Sequence, residues 1–138
     1  YTFTTAPTTF TGFYKYTPGK DYYTKNNKVI AEKTDECAIY AVLYEENLGT
    51  DGKTNIPLTG EDIMTSDRIV MMAALENGSA KADWTEFSLP FKPVGTKKFD
   101  PTKKYQITFI VSSSAKGYLL EGAPNSTLTI DSFKIISK

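Results

Sequence analysis

The chain of 138 residues contains no histidine, only one cysteine and no excess of charge of either sign. Without histidine it can form no Ser-His-Asp or Cys-His nucleophilic site, no histidine-ligated zinc site and no histidine acid–base pair. Cys37 has no second cysteine with which to form an intrachain disulfide. Catalysis by carboxylates and metal sites with only oxygen ligands remain possible, because neither needs histidine or cysteine.

The balance of charge and the lack of long apolar runs exclude further classes of partner. Sixteen basic and sixteen acidic residues cancel, whereas nucleic-acid binders normally carry a basic excess, so we expect no nucleic-acid partner. No window of eighteen apolar residues predicts a membrane span. Because the sequence starts at Tyr1 rather than methionine, we expect a processed or excised piece of a longer secreted protein, with its targeting signal outside this chain.

The residues that are abundant favour β-structure. Nine tyrosines, eight phenylalanines and many threonines suit pleated, half-buried strands. The length predicts one domain. We expect residues 1–9 to form a lead-in segment or edge strand and residues 10–138 to form a single all-β domain, a two-sheet antiparallel β-sandwich.

Three segments alternate with the period of a strand. In "WTEFSLPF" Phe87, Leu89 and Phe91 share one face, and Pro90, which lacks an N–H, indicates an edge position. "YQITFIV" alternates likewise. The last strand changes phase, and a bulge near Asp131–Ser132 would restore it. The residues predicted to be buried in these strands are Phe87, Leu89, Ile107, Phe109, Val111, Leu128 and Ile130.

Two other segments are ambiguous. "CAIYAVLYEE" is apolar on both faces, which is typical of a central strand, a strand covered by a loop, or part of a buried helix. "DRIVMMAALENGS" contains good helix formers. It is short and lies between turn signals, so we interpret it as a strand.

Ser112–Ser114 begin the stretch "SSSAKGYLLEGAPNSTLTIDSFKI", which raises three alternatives: a catalytic serine loop, a phosphate cradle or the rim of a sandwich. No histidine base and no G-x-S-x-G motif is present. A phosphate cradle requires glycines at the start of a helix, and neither Gly117 nor Gly122 precedes a predicted helix. We therefore interpret the serines as the exit of a strand, with hydroxyls that satisfy backbone groups in the turn.

The order of "GFYKYTPG", "AIYAVLYEE", "LTGEDIMTSDRI", "WTEFSLPF" and the serine-rich stretch resembles the putative carbohydrate metabolism domain of Bacteroides-type surface lipoproteins. The positions that fit the closing signature of that family are Ser112–Ser114, Gly117, Gly122-Ala123, Ser126, Leu128 and Asp131. The sequence departs from it at Leu119 and Leu120, where an aspartate and an aromatic residue are common. Asn125 and Ser132 replace a glycine and a second aspartate.

The resemblance implies a jelly-roll sandwich of galactose-binding-like type. It also implies a non-catalytic module for carbohydrate binding or glycan utilisation at the extracellular or outer-membrane surface of a bacterium. Its expected partners are a glycan and another β-sandwich domain of the same chain or a surface protein. The alternative is a structural or adhesion module of a surface lipoprotein or fimbria with no sugar site. A hydrolase is a third hypothesis, but the adjacent pairs Glu45-Glu46 and Glu61-Asp62 would point to opposite faces of a strand.

A sugar site on such a sandwich needs flat aromatic faces beside polar groups. The candidate ligand-binding residues are Tyr14, Tyr16, Tyr22, Tyr23 and Tyr118. Trp84, at the start of a strand, is predicted to be a packing anchor instead.

Many jelly-roll carbohydrate modules hold a structural calcium ion with an aspartate of the last strand, and Asp131 occupies that kind of position. The partners for such a Ca²⁺ site would be Asp21, Glu32 or Asp35. The alternative is a hydrogen bond at the bulge. In either case we expect the Asp131 carboxylate to be tied to the loops that precede it.

Overall fold

The structure, a computed structural model, describes residues 2–138 and has two antiparallel sheets. The strands are β1 (Pro7–Thr17), β2 (Ala38–Glu45), β3 (Ile69–Ala74), β4 (Lys81–Pro90), β5 (Lys92–Pro93), β6 (Tyr105–Ser112) and β7 (Thr127–Ser137). One sheet has the order β4-β1-β7 and the other β5-β3-β2-β6. A single 3-10 turn, Gly117–Leu119, is the helical element of the described residues. The predicted two-sheet antiparallel sandwich is confirmed.

The main core fills the space between the two sheets. Phe10 of β1 is fully buried, and its ring centroid lies 5.0 Å from that of Phe87 and 5.0 Å from that of Phe133, both edge to face. Phe87 and Leu89 are buried, as their alternation predicts. Each buried ring of this kind contributes roughly 1.5–3 kcal/mol by removal from water.

A second, smaller core lies on the other face of β2. Val42 and Tyr44 are buried there against Leu58 and Ile69, under the segment that joins β2 to β3. The apolar pattern on both faces of β2 therefore reflects a strand covered by a loop. The strand interpretation of β3 is confirmed as well.

The register of the outer strands agrees with two detailed predictions. The pairing of β1 with β7 shifts between Thr11 and Phe13, and Ser132 has a φ of 56°. This bulge returns Phe133 and Ile135 to the core side. Pro90 lies on β4, the edge strand of its sheet, where a missing N–H is tolerated.

The two strands β6 and β7 leave one side of the sandwich open. Each is the last strand of its sheet, and the Phe109 and Phe133 rings meet across the gap at 5.9 Å. Phe109, Val111 and Ile130 were predicted to be buried, and this is wrong: they are 46%, 42% and 38% exposed. They sit at core-side positions, but within residues 2–138 no strand lies beyond them. We call the residues Ile107, Phe109, Val111, Leu128 and Ile130 the open edge.

Membrane insertion through a helix has no support in residues 2–138. No helix there has the length and apolarity needed to cross a bilayer.

Candidate functional site

Two long loops meet at one end of the sandwich, and we call residues 18–36 and 113–126 the rim. The first loop follows β1 and the second follows β6. Tyr23 and Gly122 exchange backbone hydrogen bonds of 2.8 and 3.1 Å, and the Ala115 N–H donates to the Glu36 carbonyl at 2.7 Å. The two loops therefore form one connected surface.

A buried carboxylate holds the rim together. Asp35 is 1% exposed. Its Oδ2 atom accepts hydrogen bonds from Ser114 Oγ at 2.6 Å, Ala123 N at 2.9 Å and Ser126 Oγ at 2.8 Å, and its Oδ1 atom accepts one from Glu36 N at 3.0 Å. Hydrogen bonds of this length to an ionised group are stronger than hydrogen bonds between neutral groups. A buried carboxylate is tolerable because its oxygens are satisfied. We call these five residues the Asp35 cluster.

Small residues allow the loops to approach the Asp35 cluster. A Cβ added to Gly122 would lie 2.7 Å from Ser114 Oγ, and one added to Gly19 would lie 2.0 Å from the Pro124 carbonyl oxygen. The Gly19 N–H donates to Ser126 Oγ at 3.0 Å, so that hydroxyl accepts one hydrogen bond and donates another to Asp35. The glycine and serine signature in the sequence is thus a set of contacts around one carboxylate.

Ser112 and Ser113 make hydrogen bonds within or beside the turn that follows β6. Ser112 Oγ donates to the Ser114 carbonyl at 2.8 Å and accepts from the Ser114 N–H at 3.2 Å. The Ser113 carbonyl accepts a hydrogen bond of 2.8 Å from the Tyr16 hydroxyl. The interpretation of a strand exit with hydroxyls bonded to backbone is confirmed for Ser112, while the Ser114 hydroxyl binds Asp35 instead.

The structure corrects the set of candidate tyrosines. Tyr14, Tyr16 and Tyr22 are buried and offer no free ring face to a ligand. Burial raises the pKa of Tyr14 and raises that of Tyr16 to about 12. Tyr23 is half-buried at the rim. Tyr118, on the 3-10 turn, is 81% exposed.

The turn that carries Tyr118 stands between two clefts of the rim. One, of about 380 Å³, is lined by Tyr23, Asn27, Leu120 and Glu121, among others. The other, of about 340 Å³, is lined by residues that include Glu32, Lys33 and Lys116. A larger groove of about 590 Å³ lies elsewhere, between β4 and the β3–β5 edge. It has a mostly aliphatic lining and no aromatic ring. The rim is therefore where an exposed ring and polar side chains come together.

An ion pair at the base of the rim is built around Glu121. Its Oε2 atom accepts a hydrogen bond of 3.3 Å from the Tyr22 hydroxyl and lies 3.7 Å from Lys33 Nζ. Lys33 also sits 4.4 Å from the centroid of the Tyr22 ring. The hydrogen bond with Tyr22, together with the charge of Glu121, raises the pKa of Lys33. Both charges are engaged within the protein.

Comparison with known proteins identifies the family. A family model described as "putative carbohydrate metabolism domain" matches residues 1–136. The chain belongs to this family. No curated protein matches it.

Two crystal structures resemble the whole domain. A putative glycoside hydrolase from Bacteroides thetaiotaomicron is 32% identical with a TM-score of 0.83, and one from Bacteroides vulgatus is 29% identical with a TM-score of 0.80. Each likeness covers 100% of this chain but only 40% and 55% of the other chain. The carbohydrate metabolism domain is thus one part of those longer proteins.

Asp131 does not have the contacts expected of it in this domain. It is exposed, opposite Phe13 of β1, and its carboxylate makes no hydrogen bond or ion pair with any described residue. The expectation that it is tied to the preceding loops is wrong, because its side chain points to the outer face of the sheet. Within residues 2–138, no three carboxylate or thiol side chains are grouped as a metal ion would need. A structural Ca²⁺ ion at Asp131 stays a prediction.

Asp35 is the carboxylate that fills the role expected of Asp131. The sequence indicates it only as a secondary calcium candidate, because three of its four hydrogen-bond donors lie 79–91 residues away. The signal in the sequence that indicates such a carboxylate is the group of serines and small residues after β6. Their hydroxyl and amide groups need a hydrogen-bond acceptor when they are buried.

Trp84 is not the packing anchor that we predicted. It lies on the outer face of β4 and is 47% exposed, with Lys15 Nζ 4.8 Å from its ring centroid. Its position is explained by alternation, since Phe87 and Leu89 occupy the core-side phase of the same strand. Trp84 is thus another exposed aromatic ring, on the outer face of the β4-β1-β7 sheet and beside Lys15, near the end of β1 that leads into the rim.

The adjacent acidic pair at the end of β2 is engaged in structural contacts. Glu45 lies 2.9 Å from Lys103 Nζ and 3.5 Å from Lys97 Nζ. The hydrogen bond from Lys103, assisted by the charge of Lys97, lowers the pKa of Glu45. Glu46 accepts a hydrogen bond of 2.7 Å from Gln106. The acid of a glycosidase needs a raised pKa, and Glu45 has the opposite shift.

Proposed function

We propose that this domain is a non-catalytic carbohydrate-binding module that holds a glycan at the rim. The observation that supports this most is the Tyr118 ring, which is 81% exposed on a turn between two clefts whose linings include amide and charged side chains. A pyranose packs its C–H groups on such a ring, and a few placed polar groups fix its hydroxyls. The proposed binding residues are Tyr118 and Tyr23, with Asn27 and Lys116 as polar partners.

The anchoring of the turn supports binding at this place. Ser114 precedes the turn and Ala123 follows it, and both are bonded to Asp35. A loop fixed at both ends loses less conformational freedom when a ligand binds. Tyr118 is thereby presented on a surface that is already ordered.

The engagement of the rim carboxylates supports a binding role rather than hydrolysis. Asp35 accepts four hydrogen bonds. Glu121 is occupied by Tyr22 and Lys33. Glycoside hydrolysis uses two carboxyl groups that flank the scissile bond, one of them protonated. The longer relatives have room for catalytic residues outside the matching part.

We further propose that the module works at the surface of a Bacteroides-like bacterium. Both structural relatives come from Bacteroides, and the family description concerns carbohydrate metabolism. A structural or adhesion module is the second candidate function. The observation that favours it is the apolar tip beside Tyr118, where Leu120 is 77% exposed and would suit a protein contact.

A glycan array with the domain, followed by calorimetry on the strongest ligand, tests the first proposal. Tyr118→Ala should weaken binding roughly tenfold or more, the size of a central aromatic contact. Trp84→Ala is the matched control, since it removes an exposed ring elsewhere and should leave the affinity unchanged. Loss of binding in the Trp84 variant alone would move the site to the outer face of β4. An array with no bound glycan would favour the adhesion module.

A panel of fluorogenic glycosides and esters tests the absence of catalysis. We expect no turnover by the domain, and Ser113→Ala should change nothing because the Ser113 carbonyl serves Tyr16. Turnover that this substitution abolishes would contradict the proposal.

A further inference from the structure

The open edge has the features of a β-strand acceptor. Phe109, Val111 and Ile130 occupy core-side positions yet are exposed. A cavity of about 220 Å³ lies between Val111 on β6 and Leu128 and Ile130 on β7. β6 pairs with β2 on one side only, without a register shift. Its other side offers backbone groups along the gap, as an unpaired edge does.

The direction of those backbone groups follows from Tyr105. Tyr105 exchanges both backbone hydrogen bonds with Phe3, at 2.8 and 3.2 Å, on the side of β6 away from β2. Amides alternate along an antiparallel strand. The N–H groups of Ile107, Phe109 and Val111 therefore point to the same free side as that of Tyr105, and those of Thr108 and Ile110 point to β2.

Residues 2–3 already form the beginning of a strand on that side. The pairing of Phe3 with Tyr105 is antiparallel, and Thr2 Oγ1 lies within hydrogen-bond distance, 3.4 Å, of Gln106 Nε2. Phe3 packs against the main core, whereas Thr2 shares the outer face with Gln106. In this register, a strand extended in the N-terminal direction from Phe3 runs along β6 toward Val111.

We propose that the open edge accepts an extended strand from the polypeptide that leads into Phe3. About five residues of this strand would pair with β6 from Ile107 to Val111. Apolar side chains at every second position, in phase with Phe3, would fill the gap over Phe109 and Ile130. The added strand would complete the four-stranded sheet as a fifth member and connect this domain to the preceding part of the protein.

Two observations support this source of the strand. The matching domain makes up only 40% and 55% of the structural relatives, so those chains contain further polypeptide. Residues 2–3 also occupy the Tyr105 end of β6, which restricts any second copy of the domain to the remaining part of the strand. A segment continuous with Phe3 meets no such restriction.

Amide hydrogen exchange resolved by residue tests the proposal on the 138-residue domain and on the full natural chain. In the domain, the amides of Phe109 and Val111 should exchange rapidly and those of Thr108 and Ile110 slowly. In the full chain the first two should slow roughly tenfold or more, as amides in a formed ladder do.

Two designed N-terminal extensions provide matched variants. Both add the same alternating valine–threonine segment, but one places valine in phase with Phe3 and the other is shifted by one residue, which turns every valine outward. The in-phase extension should raise the melting temperature and protect Phe109 and Val111, whereas the shifted extension should do neither. Equal protection by both extensions, or equally fast exchange in the domain and the full chain, would overturn the proposal. Concentration-dependent protection in the domain alone would show that a second copy is the occupant, and would overturn it too.

Discussion

Replacing Asp35 with alanine removes the acceptor of four hydrogen bonds at once. The Ala123 N–H is buried, and leaving such a donor unpaired costs about 1–3 kcal/mol. The Ser114 and Ser126 hydroxyls are partly buried and can reach some water, so they add less each. Hydrogen bonds to a charged acceptor contribute about 1.5–3 kcal/mol each, so we expect Asp35→Ala to lower the free energy of unfolding by about 3–5 kcal/mol in total.

Urea unfolding followed by circular dichroism measures this loss, with the midpoint compared at constant slope. Two variants calibrate it. Asp35→Asn keeps an oxygen that can accept at the Oδ2 position but turns an NH₂ group toward the Glu36 N–H, so about 1–2 kcal/mol should be lost. Asp131→Ala removes an exposed carboxylate without partners and should change stability by no more than about 0.5 kcal/mol.

The order of the three variants is the decisive result. If Asp35→Ala were as stable as Asp131→Ala, the hydrogen bonds to Asp35 would not hold the rim. A loss confined to Asp131→Ala would restore the calcium or bulge role first expected for that residue, and a chelator would then distinguish the two.

Burial raises the pKa of the Cys37 thiol to about 11, so we expect alkylating reagents near neutral pH to label it only after unfolding; labelling of the native domain would contradict this. Burial also raises the pKa of Tyr16 from its ordinary value of 10.0 to about 12. Stability should therefore be intact below pH 10 and fall as the pH rises toward 12, and tyrosinate absorbance reports the ionisation. The pKa of Glu45 is lowered, chiefly by Lys103; its contribution is therefore present above its ordinary pKa of 4.5 and is lost as the pH falls, and Lys103→Gln should flatten this acid limb in melting curves. Gly122→Ala places a Cβ 2.7 Å from a serine oxygen and should cost about 1–3 kcal/mol in urea unfolding; an unchanged midpoint would show that the loop yields.

Local pattern was sufficient to predict the strands and the class of fold. The alternation of Phe87, Leu89 and Phe91 marks the core side of β4 and the start of the next strand, and the phase change after Ile130 marks the bulge at Ser132. Both signals arise because side chains alternate across a strand, which is a property of the backbone itself. They do not depend on which strands become neighbours.

Strand order and long-range contacts are the parts that the sequence did not reveal. Phe109 and Val111 have the alternation of buried residues, but burial also requires a neighbour beyond β6, and strand order decides that. Asp35 lies in a polar loop, and its contacts with Ser114 and Ser126 span most of the domain. Local periodicity contains no information about which strand lies next to β6 or about which residues contact Asp35. The family resemblance included Ser114, Ala123 and Ser126, three of the donors to Asp35, without giving them that role, and it directed attention to Asp131 instead of Asp35.

The Asp35 cluster divides the second rim loop into residues that hold the loop in place and residues that can be substituted. Ser114 before the turn and Ala123 and Ser126 after it are fixed by the carboxylate. The tip between them, residues 116–120, is exposed and makes no contact with Asp35. Substitutions at the tip therefore leave the Asp35 cluster intact, so the side chains of the tip can change in evolution without destabilising the fold. Under the proposed glycan-binding function, relatives would change ligand by altering these five positions, and grafting another tip onto this scaffold would redirect it.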